Sequence, residues 1–190
     1  MICPLDAKTL CPDPIELRAR LMSRLPVEGT EKYQAALRDA IRCRYSFQKV
    51  PIRREGETLN LGFGDFKSKS LSKWISGCEE AFVFAVTLGI EVDRLLMRLS
   101  ATDAAGHFIT DAFASALADA ACDRAVEELA AGYCCTGRYS PGYGDLSLDL
   151  QEPLLRFLQG RELGITLTKN RLMVPTKSIT AIMGIKNELD

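Results

Sequence analysis

The sequence predicts an α+β fold, in which a twisted, mainly antiparallel sheet is flanked by helices. One indication is the nearly continuous apolar run from Glu80 to Thr87, which is rich in Phe and Val and is typical of a buried central strand. The other is a helical pattern at 103–131, where apolar pairs recur close to the helical period. Many of these apolar residues are Ala, so we expect this longest helix to approach its neighbours closely.

Shorter elements are predicted on both sides of the central strand from hydrophobic spacing, proline and glycine positions and capping residues. Before the central strand we expect helices at 12–24 and 29–44, followed by strands at 46–52 and 58–61 around a hairpin turn at 53–57. A helix near 68–76, capped by Ser68 or Ser70, leads to the central strand, and a helix at 90–99 follows it. Towards the C-terminus they are an amphipathic helix at 149–158 stopped by Gly160, and strands at 165–168, 172–174 and 178–182.

Length and composition indicate a single domain spanning 1–190, with or without an N-terminal helical extension at 1–28. A hydrophobic share of 47% is ample for a core, and the net charge of −1 gives no support for a nucleic-acid surface. The longest nearly continuous apolar stretch, at 81–88, is too short to cross a bilayer as a helix. The first twenty residues lack the uninterrupted apolar core of a signal peptide. We therefore expect a cytoplasmic protein with neither nucleic-acid nor membrane partners.

Cysteine and histidine positions argue against a metal site. Seven Cys form no C-x-x-C pair and the only His is His107, so neither a disulfide framework nor a zinc site is expected. The adjacent Cys134 and Cys135 are candidates for oxidation or partner chemistry. Four carboxylates on one stripe of the long helix are expected to form a solvated face rather than a metal site. They are Asp111, Asp119, Asp123 and Glu127.

The segment from Gly137 to Asp145 is the most informative part of the chain. It contains three Gly, one Pro, two Tyr, an Arg and an Asp within nine residues. Taken alone, its Pro141-Gly142 pair indicates a turn. The same residue types also suit a loop that holds a small ligand, because Gly permits close backbone approach, Arg binds carboxylates and Tyr offers a flat face with a polar tip.

An ordered set of motifs resembles the activation (reactivation) domain of cobalamin-dependent methionine synthase. Arg138-Tyr-Ser-Pro-Gly-Tyr143 is similar to the family's Arg-Pro-Ala-Pro-Gly-Tyr loop. It is followed, in the family's order and at similar spacing, by Leu163-Gly-Ile-Thr-Leu-Thr168, Met173-Val-Pro175 and Ser178-Ile-Thr180. The chain looks like a free-standing, shortened relative of that domain.

The resemblance implies S-adenosylmethionine as the cofactor and a role in reductive remethylation of a corrinoid. By the motif match, Arg138 binds the ligand carboxylate, Ser140 contacts the ligand through its backbone, and Gly142 lets the main chain approach the adenosyl portion. Tyr143 contacts the ligand and also acts in catalysis, between S-adenosylmethionine and the corrin. The implied partner is cobalamin-dependent methionine synthase, or another corrinoid protein that presents cobalamin, with a flavodoxin-like electron donor.

Departures from the family pattern keep a second hypothesis open. Gly144-Asp145-Leu146 stands where the family's loop continues Pro-Ala-Cys-Pro-Asp, and Lys169-Asn170 replaces the acidic residue after Leu-Thr. These differences favour a non-catalytic module that docks on a corrinoid protein or binds a small ligand without methyl transfer.

Overall fold

The computed structural model describes residues 2–21 and 29–188 as an α+β fold. Its helices are α1 (Pro14–Arg20), α2 (Glu31–Ala40), α3 (Lys69–Trp74), α4 (Ile90–Thr102), α5 (Ala104–Leu129), α6 (Gln151–Phe157) and α7 (Gly160–Leu163). Its strands are β1 (Ile2–Pro4), β2 (Arg44–Pro51), β3 (Arg53–Glu55), β4 (Thr58–Asn60), β5 (Asp65–Lys67), β6 (Glu80–Thr87), β7 (Tyr133–Cys135), β8 (Thr166–Leu167), β9 (Met173–Val174) and β10 (Ser178–Glu188). A 3₁₀ turn at Leu148–Leu150 precedes α6.

A five-stranded antiparallel sheet in the order β1-β2-β6-β10-β7 forms the centre of the molecule. The central strand predicted at 80–87 is confirmed as β6, which pairs with β2 on one side and β10 on the other. Successive residues of a strand point to opposite faces of the sheet. Phe82, Phe84 and Val86 accordingly belong to one core, and Ala81 and Val83 belong to the other.

Helix α5 covers the first face of the sheet, as the long helical pattern predicted. It runs from Ala104 to Leu129, and the Asp103 side chain caps its start by accepting a hydrogen bond from the Gly106 amide at 2.9 Å. Ala114, Ala116, Ala121 and Ala125 are fully buried, so the small side chains let the helix lie close to its neighbours.

The second face is covered by shorter elements, and one of them, α3, also bonds to the 137–145 loop. Helices α3, α6 and α7 and the small sheet β3-β4-β5 enclose a second core around Val83 and Ile182. The Ser68 hydroxyl caps α3, as predicted, by accepting a hydrogen bond from the Leu71 amide at 3.1 Å.

The N-terminal residues differ from a purely helical extension. Residues 2–4 form strand β1, which pairs with β2 at the edge of the main sheet. Leu10, Leu17 and Leu21 are buried in the same core as α5. The predicted helix at 12–24 is observed as α1, and its predicted last residues, 22–24, lie outside the described residues.

Four local predictions were wrong at their boundaries. The helix predicted at 29–44 ends at Ala40, and Arg44 already belongs to strand β2. Residues 53–55 form strand β3 rather than a turn, so the hairpin turn is limited to Gly56 and Glu57. Gly160 starts α7 instead of ending the preceding helix, and Gln159 takes the left-handed conformation in its place. The last strand continues to residue 188 because its far end pairs with β7, an element that the sequence did not predict.

Candidate functional site

The 137–145 loop continues strand β7 along the outer edge of the main sheet. Tyr139 and Ile182 exchange two backbone hydrogen bonds, at 2.9 and 2.8 Å, after the regular pairing of β7 with β10 has ended. The loop therefore begins on the rigid edge of the sheet, and its position is fixed by β10.

The central residues of the loop form a tight turn, as the Pro-Gly pair predicted. The Tyr143 amide donates to the Ser140 carbonyl at 3.1 Å, and Gly142 has a φ of +94°. Pro at the second position and a left-handed Gly at the third position define a type II turn. A second turn follows directly, in which the Leu146 amide donates to the Tyr143 carbonyl at 3.0 Å.

Asp145 fastens the end of the loop to the start of α3. Its carboxylate accepts hydrogen bonds from the Ser68 hydroxyl at 2.6 Å and from the backbone amides of Lys69 at 2.7 Å and Ser70 at 3.1 Å. These bonds, led by the one from Ser68, lower the pKa of Asp145 to about 2. The carboxylate is therefore ionised at neutral pH and acts as a cap for α3.

Tyr143 belongs to a row of three aromatic side chains. Its ring meets the ring of Tyr139 edge-on, with centroids 6.1 Å apart, and Tyr139 in turn contacts the Trp74 ring at 5.8 Å. Tyr143 is 61% exposed and Trp74 is 48% exposed, so the row presents aromatic surface to solvent. The Trp74 indole N–H donates to the Gly137 carbonyl at 2.8 Å and holds the start of the loop.

Arg138 lies against helix α5. Its guanidinium pairs with Asp123 at 3.0 Å, and the side chain is 32% exposed. Burial lowers the pKa of Arg138, but nearby Cys122, Asp123 and Asp119 raise it by more, so its pKa lies above the ordinary value. The guanidinium is always charged and still has donor groups beyond those that one carboxylate uses.

The structure brings three of the four predicted site residues into one double turn. Ser140 and Tyr143 are joined by a hydrogen bond, and Gly142 supplies the left-handed backbone between them. The Arg138 side chain turns instead towards α5, whereas its neighbour Tyr139 packs on the opposite core. Adjacent residues of an extended segment point to opposite faces, which accounts for this separation.

Sequence reasoning did not assign a role to Trp74 or Tyr139. Tyr139 lies within the loop, and Trp74 is the only Trp of the chain. An aromatic residue of a short helix is usually a packing residue, and nothing local indicates that it meets a loop more than sixty residues away. A contact of this kind depends on the pairing of β7 with β10, which a local pattern does not reveal.

The four carboxylates of the predicted stripe on α5 are half-buried or exposed, and they also form ion pairs. Each pairs with a basic side chain, at distances between 2.7 and 3.1 Å. The pairs are Asp111–Lys177, Asp119–Arg20, Asp123–Arg138 and Glu127–Arg124. In the part of the chain that the structure describes, no group of His, Cys, Asp and Glu could hold a metal ion.

The cysteines of the described residues are free thiols. Cys43, Cys78 and Cys122 are buried, and burial raises the pKa of Cys122 to about 11. Cys134 is exposed and Cys135 is half-buried, on strand β7 just before the loop. No helix among residues 2–21 and 29–188 is both long and apolar enough to span a membrane.

These features define an α+β domain that carries a glycine-containing aromatic loop at the edge of an antiparallel sheet. The fold matches a solved structure, described as the crystal structure of the MetH reactivation domain bound to AdoHcy, with a TM-score of 0.68. The match covers 97% of this chain and 77% of that chain at 16% sequence identity. No family model matches the sequence, and no curated protein matches it. The resemblance predicted from the motifs is therefore confirmed as a likeness of fold.

Proposed function

We propose that the protein binds S-adenosylmethionine at the 137–145 loop and assists the reductive remethylation of a corrinoid held by a partner. The partner would be cobalamin-dependent methionine synthase or a related corrinoid protein. The observation that carries the proposal is the shared fold with a domain solved with AdoHcy, the compound that remains when S-adenosylmethionine has lost its methyl group. The motif match at 138–143 supports the same ligand.

The residues of the loop suit such a ligand. Arg138 offers a charged fork of donors to the amino-acid carboxylate. The Ser140 and Gly142 backbone lies in a tight turn, and a Cβ at Gly142 would have only Leu148 within 4 Å, at 3.5 Å. The exposed Tyr143 ring offers an aromatic surface between a ligand on the loop and a flat macrocycle on a partner.

The proposed chemistry relies on positioning. The sulfonium of S-adenosylmethionine is an activated methyl donor, and the acceptor is the cobalt of the partner's corrinoid after reduction by one electron from a flavodoxin-like donor. The methyl group would pass from sulfur to the reduced cobalt, which would supply the electron pair of the new bond, and AdoHcy would leave with the electron pair of the broken bond. No proton needs to move, which agrees with a loop that holds Arg, Tyr and Gly backbone without an acid and base pair.

Two observations favour the alternative of a binding module without methyl transfer. Arg138 is already paired with Asp123, so a ligand carboxylate has to share the guanidinium with a resident carboxylate. Asp145, which stands in the segment that departs from the family, is used to cap α3. Such a module would dock on a corrinoid protein, or bind a small ligand, with the same face.

Calorimetric titration with S-adenosylmethionine tests the binding proposal. Arg138→Ala should weaken binding by about 1.5–3 kcal/mol, the usual scale for a hydrogen bond to a charged group. Arg124→Ala is the matched control, because Arg124 also pairs with carboxylates of α5 but lies outside the loop. Equal affinity in the wild type and in Arg138→Ala would contradict the assigned role.

A methyl-transfer assay separates the two hypotheses. The protein is mixed with a corrinoid protein, S-adenosylmethionine and a chemical reductant, and methylcobalamin is followed by its absorbance. A catalyst accelerates the formation of methylcobalamin over a reaction without the protein. Binding without acceleration supports the docking module.

A further inference from the structure

A cleft of about 670 Å³ lies between helices α6 and α7 and strand β8. Its volume falls in the range of roughly 300–1,000 Å³ that is common for small-molecule sites. Leu155 and Ile165 are buried and, with the half-buried Leu167, give the cleft an apolar part. None of its lining residues belongs to the 137–145 loop.

The polar part of the cleft is dominated by arginine. Three arginines and two glutamates line it, and one of these glutamates, Glu152, pairs with Arg156 at 3.2 Å and also with Arg171. Arg161 lines the cleft from the exposed side, and no other described residue forms an ion pair with it. Arg161 is therefore a guanidinium available to an incoming anion.

Two strained residues border this cleft. Gln159 has a φ of 56° and Arg171 a φ of 63°, and among the described residues they are the non-glycine positions with positive φ. Both line the cleft. Gln159 follows the end of α6, where glycine is the usual residue, and Arg171 lies in the β8–β9 turn, where glycine is also common. The chain thus carries a long polar side chain at two positions where glycine would avoid the strain, and such strain concentrates at ligand sites.

We propose that this cleft binds a small molecule that carries an oxyanion, either a carboxylate or a phosphate, on an apolar body. Arg161 and Gln159 bind the oxyanion through their side-chain N–H groups, because planar guanidinium and amide donors suit both anions. Leu155, Ile165 and Leu167 contact the apolar body. Arg171 forms ion pairs with Glu152 and Asp149. These pairs hold the β8–β9 turn against α6 and so stabilise the cleft.

Three simple probes test this assignment on the full chain by calorimetry. 3-Phenylpropionate and phenyl phosphate carry the two anions, and 3-phenylpropionamide is the uncharged counterpart of the first. We expect saturable binding of at least one anion, and the preferred anion identifies the natural ligand class. The uncharged amide should bind at least about tenfold more weakly than the preferred anion, or not at all.

Variants connect binding to the named residues. Arg161→Ala should lower the affinity for the preferred anion by at least about tenfold. Arg53 is an exposed arginine on β3, and Arg53→Ala should leave this affinity unchanged. Gln159→Gly should raise the melting temperature by roughly 2–4 °C, because the backbone strain is lost. The same change should lower the affinity for the preferred anion. This pair of opposite effects distinguishes a binding residue from a purely structural one.

Several outcomes would overturn the assignment. They are the absence of saturable binding of either anion at millimolar concentration, an affinity for the amide equal to that for the preferred anion, and unchanged affinity in Arg161→Ala. Displacement of the bound probe by S-adenosylmethionine would also overturn it, because the cleft would then belong to the loop site. The assignment is independent of the proposed methyl-transfer function, since it rests on other residues and other ligands.

Discussion

The carboxylate of Asp145 accepts a hydrogen bond from the hydroxyl of Ser68 at 2.6 Å. This contact joins the end of the 137–145 loop to the start of helix α3, while Trp74, the last residue of α3, donates to the Gly137 carbonyl at the loop's beginning. Both ends of the loop are therefore held by the two ends of one short helix. We infer that the shape of the candidate site depends on α3 as much as on the sheet.

The first prediction concerns the charge of Asp145. Its pKa is lowered from 3.8 to about 2 by bonds to Ser68 and to two amides, so its stabilising effect is fully present above about pH 5 and is lost as the pH falls through about 2. Asp145→Asn should lower the melting temperature at pH 7, and the difference from the wild type should shrink towards pH 3. Asp39→Asn, on α2, is the control. A difference that stays constant from pH 7 to pH 3 would contradict the role of the charge.

The second prediction concerns the glycine of strand β10 that faces the second core. A Cβ added at Gly184 would lie 2.8 Å from the Cys78 sulfur and 3.1 Å from a methyl carbon of Ile75, and both neighbours are buried. Gly184→Ala should therefore lower the free energy of unfolding by about 1–3 kcal/mol, as overpacked cores do. Urea unfolding measures the change.

A double variant checks the physical cause. Cys78→Ala removes the closest atom, so Gly184→Ala should cost less in the Cys78→Ala background than in the wild type. If the two changes add independently, the contact between Gly184 and Cys78 does not explain the loss.

The elements predicted well are those whose signal is local. Strand β6 and helix α5 were predicted almost to their observed ends because continuous apolar runs and helical spacing are properties of the segments themselves. Strand β3 was missed because its three residues are charged and exposed, and only pairing with β4 makes them a strand. Strand β7 was missed because it exists through its pairing with β10, fifty residues later.

At the candidate site, too, features with a local sequence signal were predictable and contacts between distant segments were not. The turn at Pro141-Gly142 was predictable because its residues set the backbone conformation directly. The ion pair of Arg138 with Asp123 and the aromatic contact of Tyr139 with Trp74 join different elements, so they depend on how the sheet and helices pack. Sequence patterns indicated the types of residue at the site but not the faces to which their side chains turn.

The third prediction tests the backbone of the loop. Gly142 has a φ of +94°, a conformation that β-branched residues rarely adopt, although the surrounding space is open. Gly142→Val should abolish S-adenosylmethionine binding and lower the melting temperature only modestly, because the residue is exposed. Gly132→Val is the matched control, since Gly132 has a φ of +86° and open space but lies outside the loop. Binding retained in Gly142→Val, with a large loss of stability, would identify Gly142 as a packing residue.

The last prediction concerns Tyr143, and it distinguishes a catalyst from a binding module. The ring is 61% exposed and meets the ring of Tyr139 edge-on, so its removal should cost little stability. If it lies between S-adenosylmethionine and the partner's corrin, Tyr143→Ala should change S-adenosylmethionine affinity by no more than about tenfold, or about 1.4 kcal/mol. The same change should slow methyl transfer to a reduced, partner-bound corrinoid much more strongly.

Tyr143→Phe should retain most of the rate, because it keeps the ring. Met97→Ala, on the exposed face of α4, controls for loss of surface apolar area. A variant that is mainly less stable, with binding and transfer changed in equal proportion, would show that Tyr143 is a structural residue of the turn.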